Sequence, residues 1–509
     1  MDNQLLFSYK KDNRRKWIQR FVLLLVFMAG IGIRLYDFTD PPLEFHLTRQ
    51  LRSALIARQV YLNLLPDATP LQKAMAADTA NLEVYEPPIL ETLVGGLYYV
   101  FGGENIAIAR TVNALFWAAG GWFLFLMLKR KLNFAGIIAG LSFYFFLPFS
   151  VIASRSFQPD PWMVTWILAT AWSGVRWMEK PNWKNSLITG VLAGMTVLIK
   201  GFAGLFIAPL LLVIVISSLG LINALKNPKV WTMAVISALP MMLYYLVLNS
   251  GRSGDFLSFW AGSLSGLVLT SNFYADWLAM LKGLMGLFTV LAAVLGTLLA
   301  DKQIKRWLLP LWLGYFLFGM VFPYQFTTHE YYHLSLIPLV TAGLASLFSQ
   351  VVSAFKQQHV IWRMGAVGLL LAASGYNLYV ARSVLYAHNY RSEPAAWQKI
   401  ADAIPEDGTF ISLSSDYGMR LRYFGWRIAK AEWPTAADLR LFSLAGNADL
   451  NTQTYFDEQT AGVDYFVITA FQELDNQPQL KQLLQENYPL AASGDGYLIY
   501  DLDHPLTEK

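Results

Sequence analysis

The chain is built from apolar runs long enough to cross a lipid bilayer, and that property decides most of what it can fold into. About 20 apolar residues span the hydrocarbon layer as a helix, whereas a soluble core rarely needs runs of 18 or more. Marking apolar runs and the basic clusters between them gives roughly eleven spans, near residues 18–36, 107–128, 134–152, 161–178, 186–200, 203–222, 231–249, 277–299, 307–323, 334–352 and 361–380. In lipid the backbone must satisfy its own N–H and C=O groups, which leaves helices or closed barrels. The runs lack the short alternating pattern of barrel strands, so the expected fold is a polytopic α-helical membrane protein of about eleven transmembrane helices. Composition agrees, with 55% hydrophobic and 15% charged residues, where soluble domains carry about 25% charged.

The net charge of +4 is no signature of nucleic-acid binding, because most Lys and Arg stand at the ends of apolar runs. Lys129-Arg130-Lys131, Arg176/Lys180/Lys184, Lys226/Lys229, Lys302/Lys305/Arg306 and Lys356/Arg363 fall on the side of the basic N-terminus when the runs are counted in order. The positive-inside rule makes that side cytoplasmic. Met1–Arg20 runs into Phe21–Ile33 without a small-residue cleavage site before Arg34, the pattern of an uncleaved signal anchor. The expected setting is the inner (cytoplasmic) membrane, with the N-terminus inside and the C-terminal segment outside. Cysteine is absent, which excludes disulfides, thiolate metal sites and a Cys nucleophile.

Two regions stand apart from the membrane runs. The first outer loop, 37–106, is far longer than a connector needs. Within it Arg49–Leu64 and Ile89–Phe101 have the one-sided apolar periodicity of helices lying along the bilayer surface. From about Ala387 the composition turns polar. Trp397–Ile404, Tyr417–Phe424 and Pro478–Asn487 read as helices, and Thr409–Leu413, Asp464–Thr469 and Gly496–Leu502 as strands. The expected domains are therefore a membrane domain, 1–386, and a small soluble extracytoplasmic α/β domain, 387–509.

Ionisable residues collect on the outer side. Glu44 and His46 lie in Pro41-Pro42-Leu43-Glu44-Phe45-His46, and Glu86 precedes Pro87-Pro88 at the far end of the same loop. Arg110, Arg155, Asp160, Lys200, His329 and His333 lie at the predicted outer ends of later runs. Such groups are costly in a membrane and need a reason to be there. Mixed signs suit a site that activates a hydroxyl with a carboxylate and neutralises a phosphate with Arg and Lys. Each has an ordinary alternative. Glu44 would cap a helix or pair with Arg49, Glu86 and Asp160 would favour helix starts, Arg110 would snorkel, and Lys200 would mark the interface. His329 and His333 have metal-ligand spacing but lack a third ligand beyond Glu330, so they are read as hydrogen-bonding groups for a substrate.

In this combination the chain resembles the GT-C superfamily of membrane glycosyltransferases, in the branch of protein O-mannosyltransferases and lipid A aminoarabinose transferases. The resemblance rests on the acidic motif opening the first outer loop, the later Glu86-Pro87-Pro88, the phrase Ile108-Ala109-Arg110-Thr111-Val112-Asn113-Ala114-Leu115, the Lys200-Gly201 turn and His333-Leu334-Ser335-Leu336-Ile337-Pro338. It implies an inverting transferase that moves a sugar from a polyprenyl-phosphate donor to an acceptor hydroxyl outside the cytoplasm. Glu44 takes the place of the catalytic acid, with Glu86 as competitor, because many relatives carry an Asp-Glu pair where this chain has Leu43-Glu44. Arg110 and Lys200 look like donor-phosphate contacts, supported by His46, Arg155, Asp160, His329 and His333. The expected partners are a polyprenyl-phosphate sugar donor, an unidentified protein, lipid or glycan acceptor and the bilayer. No cofactor is expected; a divalent metal is left open as an alternative that no residue set supports. The alternative from another class is a transporter or flippase of a lipid-linked or polar solute, against which stand the lack of a sequence repeat and the charges lying at one face.

Overall fold

The computed structural model describes residues 2–80, 82, 85–355, 360–446 and 451–506; Lys356, one of the basic residues used for orientation, lies outside them. These residues form two compact units. The first comprises Met1–Thr39, Glu83–Leu90 and Asn105–His388, and the second Asp40–Leu82, Glu91–Glu104 and Asn389–Lys509. The composition shift near residue 387 marks only one of these divisions, because most of the first outer loop groups with the C-terminal residues.

In the first unit, helices occur at all eleven expected positions. Six are long and apolar enough to cross a membrane: Asn13–Arg34, Ile106–Leu128, Gly201–Leu219, Pro228–Leu248, Glu330–Ala354 and Val360–Ala387. Two bent pairs raise the number to eight. Asp160–Glu179, Trp183–Ile199 and Lys302–Val321 occupy the remaining positions without passing the same length and apolarity test. The chain is a multi-pass membrane protein.

The bends follow from local chemistry. Phe134–Phe146 and Pro148–Arg155 meet at 56°, where Pro148 lacks the N–H that would continue one helix and suits the first turn of the next. Ser271–Met285 and Leu287–Leu299 meet at 92° around Gly286, whose φ of 80° is open to glycine and strained for other residues. Small residues let helices touch. A Cβ on Gly343 would overlap the Ala293 carbonyl oxygen, so Leu287–Leu299 and Leu336–Ala354 meet backbone to backbone, as small-residue seams in membranes do.

The second unit carries a five-stranded sheet: β1 (Phe410–Leu413), β2 (Ala431–Glu432), β3 (Tyr465–Ile468), β4 (Leu490–Gly494) and β5 (Tyr497–Asp501), in the order β2-β1-β3-β5-β4. β1 is parallel to β2 and β3, while β5 is antiparallel to β3 and β4. Alternation divides the core. Ile411, Leu413, Phe466 and Ile468 pack with Trp433 and Phe456 in one cluster, and Phe410 and Val467 with Trp397, Ile400 and Leu421 in another. The six elements expected here are all present. β2, β4 and the helices Ala436–Leu444, Thr452–Thr460 and Phe471–Asp475 come in addition.

The expected loop helices appear as Leu47–Leu64 and Ile89–Val100, with an unforeseen third, Pro70–Thr79, closed by a Thr69/Gln72 capping box. Arg58 explains their grouping with the C-terminal residues. It pairs with Glu104 at 2.7 Å and lies 4.0 Å from the Tyr423 ring centre and 4.6 Å from that of Trp426, so one buried cation joins two parts of the loop to the α/β fold. Arg422 pairs with Asp78 in the same way.

Candidate functional site

Three of the predicted residues meet in the first unit. Lys200 closes the helix Trp183–Ile199 in an extended conformation and leads into the short 3-10 turn Gly201–Ala203. Tyr245 fixes that turn, its hydroxyl accepting from the Gly201 N–H at 3.1 Å and donating to the Leu198 carbonyl at 3.2 Å. The Lys200 ammonium donates to Asp160 Oδ1 at 2.6 Å and lies 3.8 Å from Glu86 Oε1. Asp160 is the first residue of Asp160–Glu179, where the helix dipole also favours a carboxylate. Lys200 and Asp160 are buried, while Glu86 is partly exposed. The ring centres of Tyr331 and Tyr332 lie 5.5 Å from the ammonium and that of Phe202 lies 6.0 Å away. The result is one cation between two carboxylates, enclosed by aromatic faces.

Glu86 and Lys200 of this group line a cavity of about 600 Å³, within the usual range for small-molecule sites. Among the described residues Glu86 and Lys200 are its ionisable lining apart from tyrosine, and Phe202, Leu205, Leu246, Phe256 and Phe322 are among its apolar walls. Part of the wall is the π-helical turn Met242–Leu248, a rare geometry that widens the helix and recurs at functional sites. The cavity can accept a long apolar chain with a charged head.

The arginines have positioning contacts. Arg155, the last residue of Pro148–Arg155, donates to the carbonyls of Tyr36 at 2.6 Å and Asp37 at 3.0 Å. Arg110, one turn into Ile106–Leu128, donates to the Phe38 carbonyl at 3.0 Å. Both are buried, and both hold the chain just as it leaves the first helix. Arg34 is fully buried, its guanidinium bonded to Ser154 and to the carbonyls of Gly30, Phe145 and Ser150.

The two histidines part company. Glu330–Ser335 is a 3-10 helix, so the four-residue spacing does not stack His329 over His333 as an α-helix would. His329 bonds the Thr328 hydroxyl at 2.7 Å. His333 is buried with both ring nitrogens engaged, Nε2 with the Phe326 carbonyl at 2.9 Å and Nδ1 with the Tyr315 hydroxyl at 2.6 Å. A carbonyl only accepts, so Nε2 carries the proton and the Tyr315 hydroxyl donates to Nδ1. The Trp277 Nε1–H completes the chain by donating to Tyr315 at 3.2 Å. Among the described residues no group of three or more His, Asp or Glu is placed to share a metal ion.

Glu44 and His46 belong to the second unit. His46, not Glu44, is the N-cap of Leu47–Leu64, and it stands in the left-handed region at φ 45°, an uncommon conformation for a non-glycine residue. The buried Gln50 amide donates to the Phe45 carbonyl at 2.8 Å and holds that turn. Asp40 accepts from the Tyr390 N–H at 3.0 Å and pairs with Arg391 at 3.3 Å. Burial, with the carboxylates of Glu44 and Asp40 beside it, pushes the Tyr390 phenol up.

Sequence reasoning also passed over two buried uncharged residues. Gln158 and Gln325 are buried with neither amide nitrogen nor amide oxygen hydrogen-bonded among the described residues, an arrangement that costs energy unless something else fills it. Gln158 stands two residues before Asp160, inside a turn read only for its charges.

Residues 85–247 match the family model described as dolichyl-phosphate-mannose-protein mannosyltransferase. No curated protein sequence matches the chain significantly. Among solved structures, ArnT from Cupriavidus metallidurans in the apo state aligns with a TM-score of 0.57 at 15% identity, over 94% of this chain and 97% of that one. The same protein bound to undecaprenyl phosphate aligns at 0.52 and 14% identity, over the same shares. The archaeal oligosaccharyltransferase AglB from Archaeoglobus fulgidus, in complex with an inhibitory peptide and a dolichol-phosphate, aligns at 0.55 and 12% identity, over 96% of this chain and 74% of that one. The family match covers the charged turns of residues 85–247, and along nearly the whole chain the fold is similar to that of ArnT and AglB.

Proposed function

We propose that the chain is an inverting glycosyltransferase that moves a sugar from a polyprenyl-phosphate donor to an acceptor hydroxyl at the outer face of a bacterial inner membrane. The observation that carries this reading is that Lys200, paired with Asp160 and near Glu86, lines the largely apolar cavity together with Glu86. An isoprenoid chain fits the apolar walls, and its phosphate arrives at the ammonium. The family match in residues 85–247 and the lipid phosphates bound by ArnT and AglB support the same donor class.

The chemistry needs an electrophilic anomeric carbon, a stabilised leaving phosphate and a base. The acceptor oxygen forms a bond to the anomeric carbon as the bond from that carbon to the phosphate oxygen breaks, with inversion. The electron pair leaves with the phosphate. Lys200 meets that charge. Before the donor binds, Asp160 and Glu86 hold the ammonium, which would otherwise be a buried unpaired charge. The incoming phosphate takes over the longer Glu86 interaction. Arg110 and Arg155 are assigned to the donor side, with a positioning share through the carbonyls of residues 36–38. His46, His329 and His333 are assigned supporting roles. Glu44 takes the acceptor proton, on the resemblance of its loop motif, with Glu86 as the alternative base. The N-terminus is assigned to the cytoplasm and residues 387–509 to the outer side.

Purified protein given a polyprenyl-phosphate sugar and a range of acceptors should release polyprenyl phosphate. Glu44→Gln should abolish release. Unchanged turnover in that variant removes Glu44 from the mechanism.

A further inference from the structure

The second unit holds a cavity that the proposed reaction does not use. It measures about 310 Å³, enough for one or two sugar rings on the usual scale of ligand sites. It is formed where β2 runs out into Trp433-Pro434 and where the helix after β3 passes into Pro478–Asn487. That is the carboxyl end of the parallel strands, the edge at which open α/β sheets receive ligands.

Its lining has a definite chemistry. Trp433, Phe442 and Tyr455 supply aromatic surface, and Asn476, Gln477 and Gln479 supply planar amides. The Trp433 and Tyr455 rings stand 5.1 Å apart at 66°, making a corner. Gln477 is locked in orientation, its Oε1 accepting from Trp433 Nε1 at 2.9 Å and its Nε2 donating to the Pro434 carbonyl at 3.0 Å. One N–H and one lone pair of that amide remain for a ligand. Gln479 Oε1 accepts from the Thr452 hydroxyl at 2.8 Å, leaving its NH₂ group to donate elsewhere. No lining residue among those described carries a formal charge.

We propose that this cavity binds a neutral sugar residue. A pyranose offers an apolar C–H face to an aromatic ring and hydroxyls that both donate and accept, which oriented amides answer in pairs. A phosphate or carboxylate would be stripped of water there without a cation to meet it. A proline-rich peptide would use the aromatic surface but has little need of oriented amides. Binding itself does not depend on the glycosyltransferase reading. Only the further assignment, that the sugar belongs to a glycan acceptor, rests on it.

The test is saturation-transfer NMR on the full-length protein in nanodiscs, without maltoside detergents, which are themselves glycosides. The probes are the methyl glycosides of mannose, glucose, galactose and N-acetylglucosamine, together with maltotriose. At least one should give a saturable signal that added polyprenyl phosphate leaves unchanged. Tyr455→Ala and Asn476→Ala should each weaken it about tenfold or more. Asn476 is exposed, so its replacement tests the site with the fold intact. The proposal is overturned if no glycoside saturates through the millimolar range, if Asn476→Ala binds as the wild type does, if polyprenyl phosphate displaces the glycoside, or if a proline-rich decapeptide competes for the same signal. Donor and acceptor turnover play no part in the measurement, so its failure and the failure of the transferase reading are told apart.

Discussion

The Lys200 ammonium lies 2.6 Å from Asp160 Oδ1, with both side chains only 2% exposed. A buried pair of this kind adds little net stability but is costly to break, because the surviving partner is left as an uncompensated charge. Lys200→Met and Asp160→Leu should therefore each cost roughly 3 to 5 kcal/mol. The double variant should recover much of that loss. Thermal unfolding of the four proteins closes the cycle, and additive losses would show that the two residues are not coupled.

Both partners stood out in the sequence as ionisable residues at the predicted outer ends of apolar runs. Their pairing did not. They are 40 residues apart, and only the packing of two helix ends brings them together. The helical segments were legible because their apolar runs are long, whereas the turn around Gly286 depends on one dihedral angle inside a continuous apolar run. The two-residue strand β2 gives no alternation to read. The placing of His333 relative to His329 was not legible for a related reason. Its spacing from His329 means one face only in an α-helix, and the segment folds as a 3-10 helix around a hydrogen-bonded chain supplied by Trp277 and Tyr315.

That chain gives the second prediction. Tyr315→Phe removes the hydroxyl linking Trp277 Nε1 to His333 Nδ1. It leaves a buried donor and a buried acceptor unsatisfied, at a cost of about 1 to 3 kcal/mol for such a group. Thermal unfolding should show a clear loss. Unchanged stability with weakened donor binding would instead make His333 a substrate contact.

The third prediction concerns pH. Glu432 accepts from Ser412 Oγ at 2.6 Å and Ser414 Oγ at 2.9 Å. Burial nonetheless pushes its carboxyl from the ordinary 4.5 up to about 8, against the pull of those hydroxyls and with Asp416 adding to the rise. The folded state thus holds a proton that the unfolded state releases, and this contribution is fully present below about pH 4.5 and lost as pH rises to about 8. Glu432→Gln should flatten that part of the stability profile and stabilise the second unit at pH 8. A profile unchanged by the substitution would show that another group titrates there.

The central claim is that the first unit's cavity takes a lipid phosphate with its charge at Lys200. It is tested most directly by comparing the affinity of the purified protein for a polyprenyl phosphate and for the matching uncharged polyprenol. The comparison is made in the wild type and in the Lys200→Met/Asp160→Leu double variant, chosen because it should keep the fold. The wild type should prefer the phosphate by about tenfold or more, and the double variant should bind the two lipids alike. A double variant that keeps the full preference for the phosphate would contradict the account.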